Sequence, residues 1–141
     1  MSFAWSAINP HDTFIWFLEV LPAIIGLLVL AVTRRVFQLT TLAYMLVLVH
    51  CIVLMVGGHY TYSEVPLGFW LQEVLEASRN HYDRIVHFSF GLLMAYPMRE
   101  VAIRIGSLRG FWGLYVPVEF VLAFSAIYEI TEWLIAVIFG G

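Results

Sequence analysis

The sequence predicts an all-α integral membrane bundle, in which four helices span the bilayer and one short amphipathic helix lies at its interface. Of its 141 residues, 62% are hydrophobic and only 12% are charged, and the mean hydropathy is +0.88. Soluble domains are about one-half apolar and one-quarter charged. Four separate runs are apolar over the roughly 20 residues that a helix needs to cross a bilayer. We therefore expect a single transmembrane domain over residues 1–141.

Each apolar run is predicted to be one spanning helix. The four runs cover residues 14–32, 37–56, 83–103 and 111–137. Three of them contain a proline, namely Pro22, Pro97 and Pro117. Neighbouring helices in a bundle can cover the carbonyls that a proline leaves free, so we expect kinks at these positions rather than breaks.

The long link between the second and third spans contains a further helical pattern at residues 69–79. Its apolar and polar side chains separate onto two faces: Phe69, Trp70, Val74 and Leu75 on one, and Gln72, Glu73, Glu76 and Arg79 on the other. Such a short amphipathic helix is typical of a segment that lies in the membrane interface. A cap over the solvent side of the bundle is the alternative, and the two interpretations are compatible.

The distribution of arginine predicts the orientation. Five arginines lie in or beside the first and third connections (Arg34, Arg35, Arg99, Arg104 and Arg109), whereas the long link and its boundary contain only Arg79 and Arg84. Basic residues favour the cytoplasm, so both termini and the long link should be extracytoplasmic. We expect Arg99 and Glu100 to pair at the cytoplasmic rim. The net charge of −3 indicates no nucleic-acid partner, so the expected partners are the lipid bilayer and other membrane subunits.

Three polar stretches lie at the predicted outer ends of three helices, in residues 58–62, 80–87 and 128–133. An up-and-down bundle would bring these ends into one layer. Residues four or three apart share a helix face, which pairs Asp83 with His87 and Glu129 with Glu132. Imidazoles and carboxylates are ligands for divalent metals. The candidate ligands are His59, His81, Asp83, His87, Glu129 and Glu132. Arg84 is a candidate contact for an anion, or one half of a structural ion pair.

The same residues have a structural interpretation. Arg84 could pair with Glu129 or Glu132 while His87 bonds Asp83, which would give a polar network that holds the helices together. Spacing does not decide between a network and a metal site. A haem held by His50 and His87 is not expected, because their predicted depths differ by about 7 Å at 1.5 Å per residue.

Four stretches together resemble the YjdF family of bacterial inner-membrane proteins. They are residues 57–68 (GGHYTYSEVPLG), 78–88 (SRNHYDRIVHF), 97–100 (PMRE) and 123–133 (AFSAIYEITEW). A more distant similarity to VanZ-like proteins lies in Asp83, Arg84, His87 and Phe88, followed by Tyr128 and Glu129 on a later helix. The resemblance implies a polytopic membrane protein and supplies no catalytic assignment. Family members usually continue into an Asp-rich segment and a further helix.

The sequence therefore favours an accessory or structural membrane subunit with a polar His/Asp/Glu cluster on its extracytoplasmic side. The alternative is a metal-binding protein or a hydrolase that acts on an envelope lipid or headgroup. A proton path or small transporter using Glu119, Glu129 and Glu132 is the weakest hypothesis, because the sequence contains no inverted repeat. Whether the protein is an enzyme is left open at this point.

Overall fold

The computed structural model describes residues 2–139, and it contains helices and no strands across that range. Six α-helices follow in order: α1 (Ser2–Ser6), α2 (Thr13–Thr33), α3 (Thr41–Tyr60), α4 (Pro66–Val74), α5 (Tyr82–Arg104) and α6 (Trp112–Phe139). A 3-10 turn (Tyr62–Glu64) lies between α3 and α4. The all-α prediction is therefore confirmed for the part of the chain that the structure describes.

Three of the helices, α2, α3 and α6, are long and apolar enough to cross a membrane. The fourth predicted span corresponds to α5, whose 23 residues reach about 34 Å. This helix is the most polar of the four, since Asp83, Arg84, Arg99, Glu100 and Arg104 lie within it. A crossing by α5 thus stays a prediction, and so does the count of four spans.

The predicted bounds of two helices, α3 and α4, are wrong. Helix α3 ends at Tyr60 rather than at residue 56. Helix α3 starts at Thr41 rather than at residue 37, because the Thr40 hydroxyl accepts a hydrogen bond from Ala43 N at 3.3 Å and caps the helix there. Helix α4 starts at Pro66 and ends at Val74, whereas the pattern predicted residues 69–79. Proline suits a first turn because no helical partner is needed for its nitrogen. The left-handed backbone of Glu76 (φ 49°) then prevents continuation.

The chain divides into two compact units, Met1–Phe88 and Ser89–Gly141, and the boundary falls inside α5. The core of the first unit lies where α2 and α3 pack against the 3-10 turn and the start of α5. Its buried members are Val20, Ala23, Cys51, Leu54, Met55, Tyr62, Val65, Tyr82 and Val86. Cys51 is a free thiol within this core.

Two adjacent glycines allow this core to close. A Cβ on Gly58 would lie 2.6 Å from the Val20 side chain, so the glycine lets α3 approach α2 closely. A Cβ on Gly57 would lie 2.3 Å from the Tyr62 ring, which occupies that space instead. The Tyr82 hydroxyl then donates a hydrogen bond to the Val53 carbonyl at 2.9 Å and fastens the start of α5 to α3.

A single asparagine joins α4 to α5. Asn80 Nδ2 donates to the Val65 carbonyl at 3.0 Å, just before α4, and its Oδ1 accepts from Tyr82 N at 3.0 Å, at the first residue of α5. The amide occupies the place that a side chain at position 68 would fill, since a Cβ on Gly68 would lie 1.7 Å from Oδ1. Asn80 therefore fixes α4 against the start of the helix that carries Asp83 and His87.

In the second unit, α6 has one covered face. Gly113, Pro117 and Val121 are buried at intervals of four residues, and the partly buried Ser125, Tyr128, Glu132 and Ile135 extend the stripe. Large apolar side chains on its other faces are exposed.

On α5, Glu100 is buried and pairs with Arg104, one turn further on. The expected Arg99–Glu100 pair is therefore wrong, because residues four apart face each other on a helix and adjacent ones do not.

Candidate functional site

Asp83 and His87 lie on one face of the first two turns of α5. Asp83 Oδ1 is 3.5 Å from His87 Nε2, and both side chains are partly buried. This separation is too long for a good hydrogen bond, so the contact is electrostatic. Oδ1 itself is inaccessible to solvent and receives no hydrogen bond from any described residue. A carboxylate in a first turn is stabilised by the helix dipole, which explains why Asp83 is tolerated there.

His50 belongs to the surroundings of this pair. It is buried on α3, and it interacts electrostatically with His87. The predicted difference of about 7 Å in the depths of the two histidines stays a prediction. The burial of His50 had a signal in the sequence, because an imidazole in the middle of an apolar span usually faces protein rather than lipid.

Glu129 and Glu132 lie three residues apart on α6. Glu132 is partly buried on the covered stripe of that helix, whereas Glu129 is exposed. Thr131, between them, donates its hydroxyl hydrogen to the Ile127 carbonyl at 2.8 Å.

His59 is held by the N-terminal helix. Its ring stacks on Trp5 with centroids 4.3 Å apart, and its Nδ1 lies 3.3 Å from the Ser6 carbonyl. The backbone carbonyl of His59 also accepts a hydrogen bond from His11 N at 3.1 Å. Sequence reasoning gave α1 no role, because a five-residue helix has no periodicity to detect.

The two remaining predicted site residues differ in their surroundings. His81 precedes α5, and its Nδ1 is buried without a hydrogen-bond partner among the described residues. Arg84 is exposed, and it makes no ion pair with any residue described in the range 2–88. Its predicted role as a contact for an anion stays a prediction.

Glu19 is a further buried polar residue near the start of α5. It lies on α2 with 8% of its surface exposed, and its Oε1 accepts a hydrogen bond from Tyr62 N at 3.3 Å. It also interacts electrostatically with Tyr82. Glu19 thus joins α2 to the backbone of the 3-10 turn.

A family whose description is "Predicted membrane protein (DUF2238)" matches residues 1–141. The chain belongs to this family. It is 44% identical over 137 residues to the "Inner membrane protein YjdF" of Escherichia coli (strain K12). The match covers 96% of this chain and 66% of that relative, so the chain spans about two thirds of the relative's length. The YjdF resemblance is thereby confirmed. No solved structure matches the chain.

Proposed function

We propose that this DUF2238 protein is a multi-pass bacterial inner-membrane protein that holds a divalent cation with Asp83, His87, Glu129 and Glu132. The proposal depends on one observation: the two pairs of residues lie at matching distances from the α5–α6 connection, each along its own helix. Asp83 and His87 lie about 31 and 26 Å before the end of α5, at 1.5 Å per residue. Glu132 and Glu129 lie about 30 and 26 Å after the start of α6. An antiparallel α5–α6 hairpin would therefore bring the two pairs to one layer.

The donor set suits a divalent metal. One imidazole nitrogen and three carboxylate oxygens are the ligands found around zinc, manganese and non-haem iron. The inaccessible Asp83 Oδ1, which no described residue hydrogen-bonds, supports a cation at this position. The contacts of His59 with α1 are the reason to leave it out of the ligand set.

Electrostatics distinguish the metal from a purely structural network. Three carboxylates that meet in one layer at membrane depth would need compensating positive charge. The network interpretation assigns this charge to Arg84, which is exposed. In the metal interpretation, a bound divalent cation supplies it. A hydrolase for a lipid headgroup would use the same cluster, with Arg84 as the contact for the phosphate.

The accessory subunit is the second candidate, and the exposed apolar surface of α6 favours it. Side chains such as Leu122, Phe124 and Ile127 are half or more exposed along this helix. They would face lipid in a monomer and a partner helix in an assembly. In this case the polar cluster would stabilise the subunit without binding a metal.

Metal analysis tests the proposal. Protein purified in detergent, and reloaded with Mn²⁺ or Zn²⁺, should contain about one metal per chain, and a chelator should lower its melting temperature. His87→Ala and Glu132→Gln should lose the metal. The matched controls His11→Ala and Glu73→Gln, which change exposed residues of the same types, should keep it. Absence of metal after reloading, with no effect of the chelator, would reject the metal site in favour of the structural network.

We also propose that α5 crosses the membrane, that both termini are extracytoplasmic, and that α4 lies in the outer interface. The excess of arginine near residues 34–35 and 99–109 supports this orientation. With Cys51 replaced by alanine, Ser78→Cys should react with an impermeant maleimide in intact cells, whereas Ser107→Cys should not. Both sites are exposed in the folded chain. Equal labelling of the two would mean that α5 does not cross.

A further inference from the structure

The face of α6 that lies opposite its covered stripe carries an ionisable residue. Glu119 is exposed and lies about 10 Å from the start of the helix. It is two residues beyond the buried Pro117, which corresponds to a rotation of about 200° around the helix. It interacts with the Tyr115 hydroxyl, one turn earlier on the helix.

A carboxylate on such a face needs a protein neighbour. Ionisable groups within membrane spans almost always face protein or water and not lipid. Glutamate is too short to reach the headgroups from about 10 Å, unlike the long arginine and lysine side chains that extend to the interface. Ala123 and Ala126 continue the face of Glu119 at the next two turns, and both are exposed. Small residues such as alanine on one face allow two membrane helices to pack closely.

The chain itself contains the complementary charge at a matching depth. Arg99 is exposed on α5, about 8 Å before the end of that helix, and it makes no ion pair with a described residue. Its neighbour Arg104 is already paired with Glu100. The exposed Leu92 and Ile103 share the face of Arg99. This surface of α5 is thus apolar with one cation, while that of α6 is apolar with one anion.

We propose that the Glu119 face of α6 binds a second copy of this chain, whose Arg99 neutralises the carboxylate. Copies in one bilayer have the same orientation, so groups at equal depth in the membrane can meet. The contact joins two different surfaces of the chain. When it is repeated from copy to copy, the copies form a closed ring if the rotation between neighbours permits. The inference does not depend on the metal site, because none of its residues belongs to the proposed ligand set.

Charge reversal tests the pairing. The oligomeric state of the purified protein in lipid nanodiscs is measured by native mass spectrometry for the wild type, Glu119→Arg, Arg99→Glu and the double variant. We expect a wild-type oligomer, at least tenfold weaker association for each single variant, and recovery in the double variant. Arg109→Glu, which reverses an exposed charge in the α5–α6 connection, is the control and should leave association unchanged.

A second measurement protects the test against variants that fail to fold. Two differently tagged copies, both with Cys51→Ala, carry Ala126→Cys and Leu92→Cys respectively. These positions lie about 21 and 18 Å from the connection and should cross-link between copies. Ile138→Cys, which is exposed far along α6, should not cross-link to Leu92→Cys. A monomeric wild type without cross-links, or a double variant that stays dissociated although it is folded, would overturn the proposal.

Discussion

Gly68→Ala tests whether Asn80 holds α4 to α5. Among the described residues, this substitution creates the shortest contact of any glycine, since the new methyl group would lie 1.7 Å from Asn80 Oδ1 and 2.4 Å from Cγ. The Asn80 side chain would have to leave its place. Both of its hydrogen bonds, to the Val65 carbonyl and from Tyr82 N, would then be lost.

The magnitude follows from these two bonds. Loss of a capping interaction costs about 1 kcal/mol, and loss of a second hydrogen bond about another 1 kcal/mol. Alanine is better than glycine in a helix by at most about 1 kcal/mol, which offsets part of the loss. We therefore expect a net destabilisation of about 1–2 kcal/mol, or a melting temperature lowered by roughly 3–8 °C for a chain of this length.

The assay is thermal unfolding in one detergent, with Gly91→Ala and Gly26→Ala as controls. A Cβ at either control position would have no atom within 4 Å, and both residues are inside helices. These substitutions should stabilise by up to about 1 kcal/mol. In an Asn80→Ala background, Gly68→Ala should cost almost nothing, because no amide remains to be displaced. If Gly68→Ala is as stable as Gly91→Ala, Asn80 does not hold the two helices together.

Three further substitutions in the first unit can be measured in the same assay. Gly57→Ala should destabilise by about 1–3 kcal/mol, because its methyl group would overlap the Tyr62 ring; a neutral result would mean that the ring moves freely. Tyr82→Phe should lower the free energy of unfolding by about 1 kcal/mol, because the hydrogen bond to the Val53 carbonyl is lost. An unchanged stability would mean that the Tyr82 hydroxyl bonds water rather than this carbonyl. Glu19→Leu should cost about 1–3 kcal/mol, because the Tyr62 amide loses its acceptor, whereas Glu19→Gln should restore most of that loss.

The class and the long helices could be predicted from the sequence because both depend on composition over many residues. The observed bounds of α2, α5 and α6 lie within two residues of the predicted ones. The start of α3 and both ends of α4 depend instead on single residues: the Thr40 cap, Pro66 and the left-handed Glu76. A window of apolar residues averages over such local effects, so it misplaces these ends by three to five residues.

The candidate site could be predicted in part. Spacing within one helix placed Asp83 and His87 on one face, and their 3.5 Å contact confirms that pair. Contacts between distant parts of the chain were not predictable in the same way. The stacking of His59 on Trp5 depends on the folding of a five-residue helix, and the proximity of His50 to His87 depends on how α5 packs against α3.

Two glutamates show why the inward face of a membrane helix is hard to read from sequence. Glu19 and Glu119 each lie about ten residues or fewer inside an apolar span, yet one is buried against Tyr62 N and the other is exposed beside Tyr115. In a soluble helix, polar residues would mark the outer face. In a bilayer the outer face is as apolar as the core, so hydrophobic periodicity loses its meaning and only small or polar residues carry information. Glu119 is informative for this reason. A carboxylate on the outer face of a membrane helix supports the proposal that another protein surface covers this face.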